Sequence, residues 1–222
     1  MVTAGNKNKL NKCVLIGRCD HDSTVRFPFY WAEEIILKAK EKGFNVIDLQ
    51  GNNFIEAKFT KHVSEQEPGL IFLNGHGDEI CAMGYNDEPV VILNKNDYLF
   101  KNKIVHIISC KTALLLGQFA KDKGCKGYLG YEGLFYIKNI HPEPHLDTAS
   151  KMFMDAVNSA SKVLLEGGSV EEAFLKSQKS YEKSINTCKE IYFNSTLSDS
   201  QRDFMGQLIE SLEENKRNMV FI

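Results

Sequence analysis

The sequence predicts an α/β fold with a mostly parallel central sheet and helices on both of its faces. Short apolar runs, such as residues 13–17 and 103–108, alternate with segments whose apolar residues recur at helical spacing. Strands that are apolar at every position are typical of parallel sheets covered on both faces, and the alternation is typical of repeated βαβ units. With 43% hydrophobic and 25% charged residues, the chain has the composition of a globular protein.

The predicted elements follow one another in a regular order. Strands are expected at residues 13–17, 44–49, 69–73, 103–108 and 127–131, with a short strand or hairpin at 89–93 and a terminal strand at 219–222. Helices are expected at residues 31–42, 53–64, 112–123, 146–166, 169–187 and 199–215, the last with Ser198 as its N-cap. We expect one domain over residues 1–222, with a core at about 12–184 and a helical C-terminal extension at about 199–222.

Charge and composition argue against several classes of function. The formal net charge of −2 gives no electrostatic reason to expect nucleic acid or an anionic membrane as a partner. No run approaches the roughly 18 apolar residues of a membrane span. Residues 1–8 are polar, without the apolar core of a signal peptide, so a cytoplasmic protein is expected. The six cysteines form no CxxC pair and no regular framework, which favours free thiols, and we expect no metal or other cofactor.

Two of the predicted strands end at residues that are able to do chemistry. His76 and Gly77 follow the strand at residues 69–73, and Cys110 follows the strand at residues 103–108. Neighbouring parallel strands carry their C-terminal ends to one edge of the sheet, where ligands bind. The imidazole of His76 and the thiol of Cys110 are therefore expected to face each other across a cleft, as base and nucleophile.

Two backbone N–H groups are expected to complete this site, because acyl transfer needs donors for the developing oxyanion. Gly77 has no side chain, so a substrate can approach its N–H closely. The N–H of Cys110 lies just before the helix predicted from Thr112, whose dipole favours negative charge. Gly77 and Cys110 are therefore the expected oxyanion hole.

This pattern resembles the caspase-like (clan CD) cysteine peptidases, which include caspases, metacaspases, legumain, clostripain, gingipains, separase and bacterial CHAT domains. The similar features are an apolar strand ending in His-Gly, a later strand ending in a small residue and Cys, the strand at residues 126–131, and a helix–glycine–helix pattern around residues 165–173. The resemblance implies a caspase-like three-layer sandwich over residues 12–184, with His76 as the catalytic histidine and Cys110 as the nucleophile. The run Ser109-Cys110-Lys111-Thr112 differs from the caspase pentapeptide, which favours a bacterial gingipain, clostripain or CHAT type of relative.

The resemblance also implies an activity, a cysteine endopeptidase that acts on a protein or peptide through a thioester acyl-enzyme. Small bacterial domains of this kind are often switched on by a partner, an effector or self-cleavage, so a regulatory protein partner is expected. A catalytically silent signalling or scaffold module on the same fold is the alternative from a different functional class. A third hypothesis is a metal-dependent hydrolase that uses Asp20, His21 and Asp22 together with His76.

Four further residues are candidates for substrate binding: Asp20, Asp78, Tyr131 and Glu132. Asp78 and Glu132 are acidic and follow strand ends, and an acidic pocket favours a substrate Lys or Arg, although both also suit solvated loops. Asp20 belongs to the polar cluster that follows the first strand, where it or Arg18 either contacts substrate or ties down a loop. Tyr131 ends the strand that, by resemblance, flanks the specificity pocket.

Overall fold

The structure, a computed structural model, describes residues 11–194 and 196–222 and confirms the α/β architecture. The strands are β1 (Cys13–Arg18), β2 (Asn45–Gln50), β3 (Leu70–Asn74), β4 (Cys81–Met83), β5 (Pro89–Ile92), β6 (Ile104–Ile108), β7 (Gly127–Tyr131) and β8 (Met219–Phe221). The α-helices are α1 (Arg26–Glu41), α2 (Glu56–Gln66), α3 (Gln118–Asp122), α4 (Thr148–Leu165), α5 (Val170–Asn194) and α6 (Asp199–Asn218). The segment inspected for a signal peptide lies outside the described residues. Among these helices none combines the length and apolar character that crossing a bilayer requires.

Six of the strands form one sheet in the order β2-β1-β3-β6-β7-β8. All neighbouring pairs are parallel except β7 and β8, which are antiparallel. The strand order reverses between β1 and β3, and ligands of open α/β sheets bind at such a switch point. The run at residues 89–93 forms the single strand β5, which pairs antiparallel with β4 in a separate two-stranded sheet; β4 is not among the predicted strands.

Two apolar cores cover the two faces of the sheet and produce three layers. Successive residues of a strand point to opposite faces. Val14 and Ile16 of β1 therefore pack with α1, α4 and α5, whereas Cys13 and Leu15 pack with α2 and the segment around α3. Burial on both faces explains why the strands are apolar at every position. The C-terminal segment belongs to the same sheet, because α6 packs on α5 and leads into β8 beside β7.

Two helices differ from their predicted form for identifiable reasons. Helix α1 begins at Arg26 rather than at residue 31, because Pro28 lies in the first turn, where a missing N–H costs no helical hydrogen bond. The helix predicted from Thr112 begins instead as a π-helical segment, Ala113–Gly117. The Leu116 N–H donates to the carbonyl of Glu79 at 2.9 Å, and the Thr112 carbonyl accepts from Gly117 at 2.9 Å.

His106, in β6, is fully buried and has a structural role. Its Nδ1 lies 3.0 Å from the Ser161 hydroxyl on α4, and its ring packs edge-on against Phe72. Burial lowers the pKa of His106 from 6.5 to about 3. The folded protein therefore holds this ring neutral over a pH range in which the unfolded chain takes up a proton.

The buried His106 predicts acid-sensitive stability. Between about pH 6 and pH 3 only the unfolded chain binds this proton, so stability falls with decreasing pH by about 1.4 kcal/mol per unit. His106→Gln retains a partner for Ser161 without titrating. Urea unfolding at several pH values should show that the free energy of unfolding falls less steeply for His106→Gln than for the wild type. Parallel slopes in the two proteins would contradict this role of His106.

Candidate active site

Strand register brings His76 and Cys110 to equivalent positions at one edge of the sheet. Asn74 of β3 pairs with Ile108 of β6, and each candidate residue lies two positions beyond its paired residue. Both side chains line one small cavity of about 20 Å³, which is about the space of one water molecule. The structure thus places together the two side chains that the sequence pairs.

The His76 ring is oriented by a carboxylate. Its Nε2 lies 2.7 Å from Asp22 Oδ2, and Asp22 Oδ1 accepts from the N–H groups of Thr24 at 2.6 Å and Val25 at 3.0 Å. Partial burial alone raises the pKa of the Asp22 carboxyl, but hydrogen bonds from His76, Val25 and Thr24 outweigh it and hold the pKa below its usual value. An ionised Asp22 accepts a hydrogen bond from the Nε2–H group of His76. The proton of the neutral ring therefore lies on Nε2, and Nδ1 is the nitrogen that can accept a proton.

The orienting role of Asp22 is absent from the sequence-based assignment, which considers this residue only as a metal ligand. The order of the strands indicates that Asp22 can reach His76. Arg18 at the end of β1 pairs with Asn74 at the end of β3, so the polar residues that follow each strand emerge at the same edge. Asp22 lies four positions beyond Arg18 and reaches His76 across the switch point.

The Cys110 thiol is half-buried and lies against the backbone of the segment that follows β7. It accepts a hydrogen bond from the Phe135 N–H at 3.3 Å and lies 3.9 Å from the Phe135 carbonyl oxygen. No hydrogen bond joins the thiol to His76 in this structure. Directly after it, Lys111 adopts a left-handed backbone with φ of 58°, and such strain in a residue other than glycine is concentrated at functional sites.

Residues 134–137, here called the Phe135 segment, are fastened over the thiol by helix α6. The Asn215 side chain accepts from the Tyr136 N–H at 2.8 Å and donates to the Tyr136 carbonyl at 2.7 Å. The Asn218 side chain donates to the Leu134 carbonyl at 3.0 Å. Access to Cys110 from this side therefore depends on contacts with the C-terminal helix.

Gly77 packs against the turn that carries Cys110. A Cβ atom at Gly77 would lie 2.7 Å from Ser109 Oγ and 2.8 Å from Thr112 Cγ2, so a side chain has no room. The backbone N–H groups of Gly77 and Cys110 donate to no acceptor in the described part of the chain. Two N–H donors without an acceptor in the described chain thus lie on the segments that carry His76 and Cys110.

The residues predicted to bind substrate do not lie together in one pocket. Asp20 is exposed and lines an open cleft of about 560 Å³, together with His21, Asp22 and Arg26. Cys110 does not line this cleft, and the cavity beside the thiol is far smaller. Glu132 is exposed just beyond β7.

Asp78 has a structural contact. Its Oδ1 accepts from the N–H groups of Ile80 at 2.8 Å and Cys81 at 2.9 Å, which shapes the turn that leads into β4. The same carboxylate is half-buried rather than fully solvated. At least one oxygen of the Asp78 carboxylate is therefore already hydrogen-bonded to the backbone.

The assignment of the Tyr131 side chain to substrate binding is wrong. This residue is fully buried, and its hydroxyl pairs with that of Tyr181 at 3.0 Å, in the core beneath α5. Two-residue alternation places Tyr131 on the same sheet face as Leu129, which packs in that core. A substrate at the sheet edge cannot reach this side chain.

Arg18 ties elements together rather than facing the cleft. Its guanidinium makes a two-pronged ion pair with Asp48 of β2, at 3.0 and 2.7 Å, and donates to Glu33 at 3.0 Å. It also donates to the Phe29 carbonyl at 3.1 Å and lies over the Phe29 ring. The side chain is buried, and these contacts join β1, β2 and α1 just below the site.

Comparison with known proteins adds a distant structural likeness. One solved structure that matches is the Arg-specific cysteine proteinase gingipain R, with a TM-score of 0.49 and 12% sequence identity, over 80% of this chain and 44% of that one. The chain thus spans less than half the length of that structure. No protein-family model matches the sequence, and neither does any curated protein. A likeness at this level assigns neither family nor activity to this chain.

The close packing at Gly77 predicts a costly substitution. Gly77→Ala should lower the free energy of unfolding by about 1–3 kcal/mol, because the added methyl group overlaps Ser109 and Thr112. Gly206→Ala is the matched control, since a Cβ there meets nothing within 4 Å and Gly206 lies inside α6. The control should stabilise the protein by about 0.5–1 kcal/mol. Chemical denaturation measures both, and equal effects of the two substitutions would refute the packing account.

Proposed function

We propose that this protein is a cysteine endopeptidase with a caspase-like fold, in which Cys110 is the nucleophile and His76 is the base. The observation that carries the proposal is the shared placement of these two side chains. Both residues follow neighbouring parallel strands and line one cavity. The His76 ring is also oriented by an ionised carboxylate. A nucleophile, a base and a group that orients the base are the recurring parts of covalent hydrolysis.

The mechanism follows from these positions. His76 Nδ1 takes the proton of the Cys110 thiol, and the thiolate attacks the scissile carbonyl carbon. The resulting oxyanion accepts hydrogen bonds from the N–H groups of Gly77 and Cys110, each of which can contribute roughly 10²–10³ in rate. The imidazolium then protonates the leaving amine and the C–N bond breaks, which leaves a thioester on Cys110. His76 next takes a proton from water, whose oxygen attacks the thioester carbon. The C–S bond then breaks, the acid product leaves, and the imidazolium returns its proton to the Cys110 sulfur.

The closed site supports an activity that is regulated by a partner, an effector or self-cleavage. The cavity beside the thiol is only about 20 Å³ and the Phe135 N–H occupies the sulfur, so we expect the Phe135 segment to move when a substrate carbonyl reaches Cys110. Its fastening to α6 through Asn215 and Asn218 supplies a point where a protein partner can act. Weakening these hydrogen bonds should favour a conformation in which the Phe135 segment has moved away from Cys110.

Substrate preference is proposed to come from acidic groups around the cleft. Asp20 lines the open cleft, and Glu132 follows β7 on the other side of the site. Both carboxylates are exposed, so a substrate Lys or Arg can pair with either. Asp78 is the weaker candidate, since the turn before β4 already uses its Oδ1.

The alternative is a catalytically silent signalling or scaffold module. The observation that favours it is the hydrogen bonding of the Cys110 thiol to Phe135 rather than to His76. In this account the thiol is a structural contact of the Phe135 segment. Such a protein would not react at Cys110 even when the segment is loosened.

A thiol-directed peptide electrophile should modify Cys110 before the other cysteines. The other five are buried, and burial raises the pKa of Cys19 to about 12 and those of Cys81 and Cys125 to about 11. His76→Ala should slow labelling at least about 100-fold, because the base is lost. Intact-protein and peptide mass spectrometry give the rate and the site.

Asn218→Ala is the companion variant, because it removes one contact of the Phe135 segment while leaving the site residues in place. It should label faster than the wild type. If Cys110 stays unreactive in both proteins, or reacts equally fast without His76, the peptidase proposal fails and the silent module stands.

Two neighbouring aspartates provide a matched test of the orienting carboxylate. Asp22→Asn should lower kcat by about 10²–10⁴ with little change in KM, since His76 loses its acceptor and its preferred tautomer. Asp20→Asn removes an equal charge two positions away. Because Asp20 is proposed to bind substrate, this variant should raise KM while leaving kcat within a few-fold. Kinetics on a cleaved peptide measure both constants, and an equal fall in kcat for the two variants would show that Asp22 acts only through charge.

A further inference from the structure

Four side chains converge at the switch point of the sheet, and three of them lie outside the proposed catalytic dyad. They are His21 and Asp22 from the loop after β1, His76 from the loop after β3, and Asp87 from the turn between β4 and β5. One potential ligand atom of each lies within 4.8 Å of the other three. We propose that this cluster binds a divalent transition-metal ion, Zn²⁺, and that the ion blocks His76 as a base.

The distances between the ligand atoms fit a tetrahedral zinc ion. His76 Nε2 lies 2.7 Å from Asp22 Oδ2 and 3.9 Å from Asp87 Oδ1. His21 Nε2 lies 3.7 Å from Asp22 Oδ2 and 3.0 Å from Asp87 Oδ1. Zinc bonds of about 2.0–2.1 Å at tetrahedral angles require ligand atoms about 3.3 Å apart, and the four measured distances bracket that value. Small side-chain movements therefore convert the hydrogen-bonded ring into a coordination shell.

The chemistry of the donors selects the class of metal. Two imidazole nitrogens with two carboxylate oxygens suit zinc, whereas calcium and magnesium take oxygen ligands. The set differs from the one inferred from sequence. Asp20 lines the open cleft and is not one of the four clustered residues. Asp87 takes the fourth position instead.

The protein already holds the ligands in place. Asp22 Oδ1 is bound by the N–H groups of Thr24 and Val25, so Oδ2 is directed to the cluster. The His21 side chain is only 9% exposed and packs edge-on against the Tyr85 ring at 5.7 Å. Asp87 lies in a tight turn with a left-handed φ of 60°. Such restraint lowers the entropy cost of gathering four ligands around one ion.

The second nitrogen of His21 does not oppose metal binding. His21 Nδ1 is buried and has no hydrogen-bond partner in the described chain. When Nε2 donates to Asp87, Nδ1 is an unpaired acceptor, and when Nε2 binds zinc, Nδ1 is an unpaired donor. Nδ1 is unpaired in either state, so the free-energy cost of burying it without a hydrogen bond is similar with and without the ion.

Zinc has a direct consequence for His76, and this part of the inference rests on the proposed peptidase function. With zinc on Nε2, the remaining ring proton lies on Nδ1, so the imidazole cannot accept the proton of Cys110. The ion also replaces the Asp22 hydrogen bond that orients the ring. Zinc binding and catalysis by His76 therefore exclude each other.

The test of the site needs no enzymatic activity. Metal-free, untagged full-length protein titrated with Zn²⁺ by calorimetry should bind one ion per chain. His21→Ala and Asp87→Ala should each weaken binding at least about tenfold. Asp20→Asn and Cys110→Ala should bind like the wild type, because neither residue belongs to the cluster. Absence of saturable binding, or binding that neither ligand variant weakens, overturns the site.

A second measurement tests the blocking role separately. Zn²⁺ should slow the labelling of Cys110 in the wild type, and a chelator should restore it. Asp87→Ala should need at least about tenfold more zinc for the same effect. Zinc-insensitive labelling of the zinc-loaded protein overturns the blocking role, whereas loss of labelling in metal-free protein instead counts against the peptidase proposal.

Discussion

The in-register parallel pairing of β1, β3 and β6 is the constraint on which the whole site depends. Arg18 pairs with Asn74, and Asn74 pairs with Ile108, so the three strands end level with one another. The residues that leave these ends then meet at one edge. Each strand is apolar on both faces and packs into two cores, so a slip of one residue would exchange every side chain between the cores. Core packing thereby sets the positions of His76 and Cys110.

Asp22 takes part in both states proposed for His76, the catalytic one and the zinc-bound one. Its Oδ1 is held by the backbone before α1, and its Oδ2 faces His76. In the catalytic account Oδ2 fixes the ring so that Nδ1 can act as a base, and with zinc bound the same oxygen becomes a ligand. On the opposite side the Phe135 segment, held by α6, covers Cys110. His76 and Cys110 are thus restrained separately, by segments from the N-terminal and C-terminal parts of the chain.

Sequence reasoning predicts the six strands of the central sheet and the placement of His76 with Cys110, because those features follow from local apolar pattern and strand order. It misses what depends on contacts between distant segments. Asp87 reaches the site only through the β4–β5 turn, and the Phe135 segment is placed by hydrogen bonds from α6. Alternation along β7 already places Tyr131 in the core beside Leu129, so the sequence itself argues against a contact with substrate. The π-helical start after Thr112 has no such local signal, because it depends on the hydrogen bond between the Leu116 N–H and the distant Glu79 carbonyl.

Cys110 is proposed to hydrolyse peptide bonds with His76 as its base. The most direct measurement is a cleavage profile on a peptide library, read by mass spectrometry, with metal-free wild type, Asn218→Ala and Asn218→Ala combined with Cys110→Ala. We expect a defined set of cleaved bonds, more cleavage in Asn218→Ala than in the wild type, and none when Cys110 is replaced. Cleavage that persists without Cys110, or no cleavage by the loosened protein, would contradict the claim.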